Sequence, residues 1–276
     1  MGRGGRSVLV TLTALGLLAS GCAADGPMAS QGSRPASHSP ATASPATTTS
    51  QSTSSPPATG VHPTCVEPDE QAGARRFRNS AGARLVGVML GEGRTGIVLG
   101  HQLGGDLCEW MPMARDLADR GYRVLAIDFG GFGESDSADD RRTLREDILA
   151  ATTQLRRAGS DRVVLIGSSM GGTAVVAAAP DARVRVSAVV SLSGPAQFAG
   201  LDAVAAARKL TAPAYFAAGD LDGSFPDSAR EMYRAASSRI KELKIYPVAN
   251  HGTRLTNDRE SLADLLEFLD RVAPPR

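Results

Sequence analysis

Gly167-Ser168-Ser169-Met170-Gly171-Gly172 sets a serine between glycines two residues away on either side. The apolar run 162–166 leads straight into it as a strand, and the small-residue stretch 173–179 leaves it as a helix. A strand–turn–helix elbow strains its central residue and lifts that residue's hydroxyl above the sheet, where side chains at Gly167 and Gly171 would collide. Ser168 lacks such flanks, having Ile166 and Met170 in their place. A serine hydroxyl is a weak nucleophile until a base takes its proton. Among four histidines, His38 lies in a low-complexity tract and His62 at its margin, where neither is expected to be held in place. His101 precedes the elbow, which leaves His251, in Val248-Ala249-Asn250-His251-Gly252, as the expected base. Asp220 and Asp222 both follow the segment 214–218, and either one can orient an imidazole and stabilise its charged form. The other is expected to cap the next helix or turn the loop.

Acyl transfer also requires donors for the oxyanion. The backbone amide of Met170, directly after the nucleophile, is one. The loop Gly100-His101-Gln102-Leu103-Gly104-Gly105-Asp106 should supply the second, with Leu103 preferred and Gln102 the alternative. His101 is expected to pin this loop rather than to move protons.

These residues need a scaffold, and the pattern after Val61 is one of alternating strands and helices. Strands are expected at 85–90, 96–99, 123–127, 162–166, 184–192, 214–218 and 243–247, several apolar throughout, as strands covered on both faces are. Between them run helical stripes: Trp110, Ala114, Leu117 and Ala118; Leu144, Ile148, Ala151 and Leu155; Leu262, Leu265, Leu266 and Leu269, the last opened by Asn257 with Glu260 three residues on. Such alternation implies an α/β fold with a doubly wound, mostly parallel sheet of about eight strands and helices on both faces. Active sites in such sheets lie at the carboxyl ends of the strands.

Composition narrows the classes. The chain has 276 residues, 42% hydrophobic residues and a formal net charge of +1, so there is no basic face for nucleic acid. No pair of histidines stands at metal-ligand spacing, and no glycine-rich segment carries the Lys-Ser/Thr of a phosphate cradle. No cofactor or metal is predicted.

Taken together, the Gly-His-Gln-Leu-Gly-Gly loop, Asp128-Phe129-Gly130-Gly131-Phe132-Gly133-Glu134-Ser135, the elbow, the Asp222 segment and Asn250-His251-Gly252 resemble the α/β-hydrolase superfamily in its own order, over 75–276. The resemblance implies a serine hydrolase with the triad Ser169, Asp222 and His251, since related hydrolases carry the acid where Asp222 stands. Two departures are Gln102, where the family's loop usually has glycine, and Gly130, where an arginine often follows the strand. Only 193–211, with one helix over 203–210, separates two late strands, so a cap domain does not fit. The site is expected to be open, with a shallow pocket shaped by Leu103, Trp110, the Phe132 loop and Phe198, like smaller esterase and dienelactone-hydrolase members. The implied reaction is cleavage of a small-molecule ester or acyl substrate. A peptidase or amidase using the same triad and a non-catalytic surface-anchored binding protein are the alternatives.

Residues 1–21 read as a signal peptide, with Arg3 and Arg6 before an apolar run too short to span a bilayer. Leu18-Ala19-Ser20-Gly21-Cys22 resembles the bacterial lipobox, which implies a lipid on Cys22 and an exported protein anchored to the outer face of the cytoplasmic membrane or cell envelope. Residues 22–60 are Ser, Thr, Pro and Ala with almost no large apolar side chain, a disordered linker in expectation. Residues 61–276 form the domain. An exported chain meets an oxidising compartment, so Cys65 and Cys108 are the candidate disulfide.

Overall fold

The computed structural model describes residues 60–136 and 143–276. The expected signal peptide, the lipid site Cys22 and the linker up to residue 59 lie outside the described residues.

Eight strands form one sheet in the order β1-β2-β4-β3-β5-β6-β9-β10. They are β1 (Ala74–Arg78), β2 (Arg84–Leu90), β3 (Thr95–Gly100), β4 (Arg123–Ile127), β5 (Arg162–Ser168), β6 (Arg185–Leu192), β9 (Ala214–Gly219) and β10 (Lys241–Tyr246). β1 pairs antiparallel with β2, and β2 with β4. All remaining pairs are parallel. A separate two-stranded ribbon joins β7 (Gln197–Phe198) and β8 (Leu201–Asp202). The helices are α1 (Met111–Asp119), α2 (Leu144–Arg157), α3 (Met170–Ala178), α4 (Ala203–Ala207), α5 (Phe225–Ala235) and α6 (Arg259–Val272).

Helices cover both faces because the central strands are apolar on both. Ile97, Val98 and Leu99 of β3 are fully buried, as are Val163–Ile166 of β5. Val98, Val163 and Leu165 face a core completed by α2, α3, α4 and α5. Ile97, Leu99, Val164 and Ile166 face the other, completed by α1 and α6 through Trp110, Leu117, Leu265 and Phe268. Removing a buried Leu from either layer costs about 2–5 kcal/mol.

Several local expectations need correction. The sequence reading missed β1, whose Ala-Arg-Arg-Phe-Arg buries only Phe77 and lies at the sheet edge. Helix α6 is capped by Asp258, whose carboxylate accepts from the Ser261 amide at 2.9 Å. Asn257 instead ends a preceding 3-10 turn, so the expected capping box with Glu260 does not form. Helix α4 stops at Ala207, three residues short of the expected end.

His62 is the largest correction. It is buried, and its Nε2 lies 2.6 Å from Asp128 Oδ2 while its backbone amide donates to Glu134 Oε1. Asp128, fully buried, also accepts from the amides of Leu107 and Glu134 at 2.9 and 2.8 Å. Three donors from three segments satisfy one carboxylate, so its burial is compensated. Beside this junction Cys65 and Cys108 form a disulfide with Cα atoms 5.6 Å apart, 43 residues apart in sequence. Closing a loop of that length restricts the unfolded chain by about 4 kcal/mol in the chain-entropy picture.

Asp147 is the second buried carboxylate, accepting from Asn79 Nδ2 at 2.6 Å and from the amide of Gly130 at 3.0 Å. Burial outweighs both donors and pushes its carboxyl up to about 6. The folded state therefore holds a proton that the unfolded chain has released, and folding loses stability as pH rises from about 4 to above 6. The loss reaches at most about 3 kcal/mol. Asp147→Asn should flatten this decline in urea midpoints measured between those pH values. An unchanged slope would count against the assignment.

Candidate active site

The elbow forms where β5 meets α3. Ser169 sits between them at φ 48° and ψ −115°, a left-handed conformation that a non-glycine residue adopts only under constraint. The constraint comes from backbone approach. A Cβ on Gly167 would fall 2.2 Å from the Gly171 carbonyl oxygen, and one on Gly171 would fall 2.3 Å from that of Gly100. The glycines of the motif thus let α3 start against both its own strand and the end of β3. The Ser169 amide donates to the Leu192 carbonyl at 2.8 Å, fixing the elbow to β6. Its hydroxyl makes no hydrogen bond to another described residue.

His251 follows β10, and Asp222 follows β9. Nδ1 of His251 lies 3.0 and 2.9 Å from the two Asp222 carboxylate oxygens. A carboxylate there accepts from Nδ1–H, which leaves Nε2 with its lone pair. The ring is half-buried and packs on Phe225 with centroids 4.4 Å apart. Gly252 seats this loop on the elbow: at φ +56°, a Cβ there would be 3.1 Å from Ser168 Cβ and 2.4 Å from Gln102 Oε1. Asp222 is 9% exposed, whereas Asp220 is exposed and its carboxylate has no hydrogen-bond partner among the described residues. Asp220 does not cap α5 either, since Ser224 stands at that cap without a side-chain bond.

Sequence reasoning missed Ser193. It follows β6 directly at φ 50°, fully buried, and its hydroxyl donates to Asp222 Oδ2 at 2.7 Å while accepting from the Gly252 amide at 3.0 Å. One hydroxyl therefore links the acid to the histidine loop. A lone serine has no spacing signature; its only signal was its place at a strand's carboxyl end.

The loop after β3 is pinned from within. His101 is fully buried; its Nε2 accepts from the Phe129 amide at 3.0 Å, so Nδ1 carries the proton and donates to the Gln102 carbonyl at 2.7 Å. Burial lowers the imidazole's pKa, in keeping with this neutral form. Gln102 Nε2 donates to Glu109 Oε1 at 3.1 Å, and the Gln102 amide points at Glu109 Oε2 at 3.5 Å. Burial raises the Glu109 carboxyl, against the pull of those Gln102 donors. Leu103 is 47% exposed, and Phe132 and Phe198 are half-buried, as a shallow rim requires. Trp110 is not part of it: the ring is fully buried in the core beneath α1.

Ser193→Ala leaves a buried carboxylate short of one donor and the Gly252 amide unpaired. The expected loss is about 1.5–3 kcal/mol of folding free energy in urea unfolding at pH 7. A change within error would show that the hydroxyl is dispensable.

Parts of the chain resemble known proteins. Residues 96–216 match the family described as alpha/beta hydrolase fold. A 2-hydroxy-6-oxononadienedioate/2-hydroxy-6-oxononatrienedioate hydrolase of Klebsiella pneumoniae is 31% identical over 138 residues, 46% of this chain and 47% of that protein. Bifunctional epoxide hydrolase 2 of Sus scrofa is 34% identical over 116 residues, 41% of this chain and 21% of that protein. The chain thus spans about half, or less, of the curated relatives it matches. Among solved structures, a Pyrococcus furiosus esterase superposes with a TM-score of 0.65 at 18% identity, covering 72% of this chain and 91% of the esterase. An enol-lactonase from Burkholderia xenovorans gives 0.57 at 18% identity, covering 71% of this chain and 99% of the lactonase. Sheet order, elbow and these matches agree, and the chain has the α/β-hydrolase fold.

Proposed function

We propose that the protein is a serine hydrolase that cleaves carboxylic esters of small molecules through Ser169, His251 and Asp222. The observation that carries this reading is the buried Asp222 carboxylate on Nδ1 of His251, in a loop seated against the strained Ser169 elbow. Asp222 fixes the tautomer, so Nε2 is the base that takes the Ser169 proton as the hydroxyl attacks the ester carbonyl. The imidazolium so formed is stabilised by Asp222 and returns its proton to the leaving alcohol. Water, deprotonated by the same nitrogen, then releases the acid from the acyl-enzyme.

The oxyanion falls to the amides of Met170 and Leu103. Met170 is the first residue of α3, so its N–H has no carbonyl one turn back to bond and lies at the positive end of the helix. The Leu103 amide makes no hydrogen bond among the described residues, whereas that of Gln102 is turned to Glu109. Such a donor is worth about 2.7–4 kcal/mol of barrier. Between β6 and β9 only the β7–β8 ribbon and α4 intervene, which leaves the site open and favours small esters over a deep-pocket substrate.

Ser169→Ala should reduce ester turnover by about four to six orders of magnitude and abolish labelling by a fluorophosphonate. Asp222→Asn should reduce kcat by about 10⁴-fold, with Asp220→Asn near wild type. Folded protein that no fluorophosphonate labels would defeat the reading, and the reverse ranking of the aspartates would reassign the acid.

The export reading belongs to the same proposal. A lipid on Cys22 would hold the domain at the outer face of the membrane or cell envelope. Cys22→Ser should move the protein from the membrane fraction to the soluble one. Retention of the variant in the membrane fraction would refute the anchor.

A further inference from the structure

Donors suited to a metal ion meet beside the disulfide, at the junction of His62 and Asp128. His62 Nδ1 lies 3.6 Å from Cys108 Sγ and 3.9 Å from Asp106 Oδ2. The donor atoms of His62, Cys65 and Cys108 all lie within 4.8 Å of one another. A tetrahedral zinc ion with bonds of about 2.0–2.3 Å has ligand-to-ligand edges of roughly 3.3–3.8 Å. The imidazole therefore already stands at about a tetrahedral edge from both the sulfur and the carboxylate. The two sulfurs stand closer than such an edge because they are joined.

The second shell is built as well. His62 Nε2 is held by Asp128, itself fixed by the Leu107 and Glu134 amides, which aims Nδ1 at the sulfurs. A carboxylate on the outer nitrogen is the arrangement that orients a metal-bound histidine and raises its basicity. Cys65 opens on a surface cavity of about 570 Å³, lined also by Pro63, Thr64, Glu67 and Gln71.

We propose that the reduced protein binds one zinc-class divalent cation through His62 Nδ1, Cys65 Sγ and Cys108 Sγ, with Asp106 as the fourth ligand. A dithiol delivers two electrons and two protons to the disulfide and is itself oxidised to a disulfide. The cation then displaces the two thiol protons. Either the covalent bridge or the ion joins the same two segments, so the cluster is a redox-gated metal site that does not involve the Ser169 chemistry.

Cobalt(II) is the probe, added to the full chain carrying Cys22→Ser so that only two thiols remain. The reduced protein should take up one equivalent, with the visible bands of tetrahedral cobalt and sulfur-to-metal charge-transfer absorption, both removed by zinc. The oxidised protein should bind none. His62→Ala should weaken zinc binding at least about tenfold, and Asp106→Ala, which leaves the Asp128 junction intact, should weaken it by about tenfold. The proposal falls if the oxidised protein or the reduced Cys65→Ser/Cys108→Ser variant binds as well. It falls equally if both ligand variants leave the cobalt spectrum and affinity unchanged, or if reduction unfolds the domain and zinc does not restore it.

Discussion

Backbone-to-backbone approach at the elbow is the constraint from which the rest of this site follows. With no side chain at 167 or 171, the first turn of α3 can rest on the ends of β3 and β5 together, near the Gly100 carbonyl. That contact puts Met170 at the start of a helix and leaves Ser169 in a left-handed conformation. It also sets α3 beside the loop after β3, which carries the Leu103 amide. Any Cβ at these positions would push the helix away, and the hydroxyl, amide and loop would lose their common origin. At Gly252 the reason is different: its φ of +56° strains any side chain, and the nearest atoms belong to the Gln102 and Ser168 side chains. At the elbow itself, backbone contacts set the geometry.

Two of the three buried carboxylates among the described residues then play unlike parts. Asp222 is shared between an imidazole and the Ser193 hydroxyl, one partner able to carry charge and the other only a dipole. Asp128 holds no part of the cleft, yet its three donors gather the start of the domain, the turn before α1 and the loop after β4. Removing either leaves donors unpaired in places that water reaches poorly, so both are costly to lose. Each holds one imidazole: Asp222 that of His251 in the loop after β10, and Asp128 that of His62 at the start of the domain.

Much of this was legible in the sequence, because the parallel strands are buried on both faces and read as uninterrupted apolar runs. β5, β6 and β9 fall within two residues of their expected limits. The elbow and the histidine loop were found through glycine spacing and by elimination among few histidines. What was missed shares a physical cause: the decisive partner lies far away in sequence. His62 looks unrestrained at the edge of a polar tract, but its anchor is 66 residues on. Ser193 is an ordinary residue until Asp222 and Gly252, from two other segments, converge on it. β1 failed for a different reason, since an edge strand with one buried side chain carries almost no periodicity. The cap of α6 moved by one residue because both Asn257 and Asp258 can cap, and the 3-10 turn before them uses up the first.

The bridge between Cys65 and Cys108 also decides how the domain bears a mechanical load. Tension applied at its N-terminal end runs along the backbone only as far as residue 65, crosses the sulfurs, and re-enters just ahead of α1. Residues 66–107, with β1, β2 and β3, lie inside the closed loop and bear none of it along the covalent chain. The edge strand, otherwise the first to peel under a pull from that end, is thereby taken out of the force path.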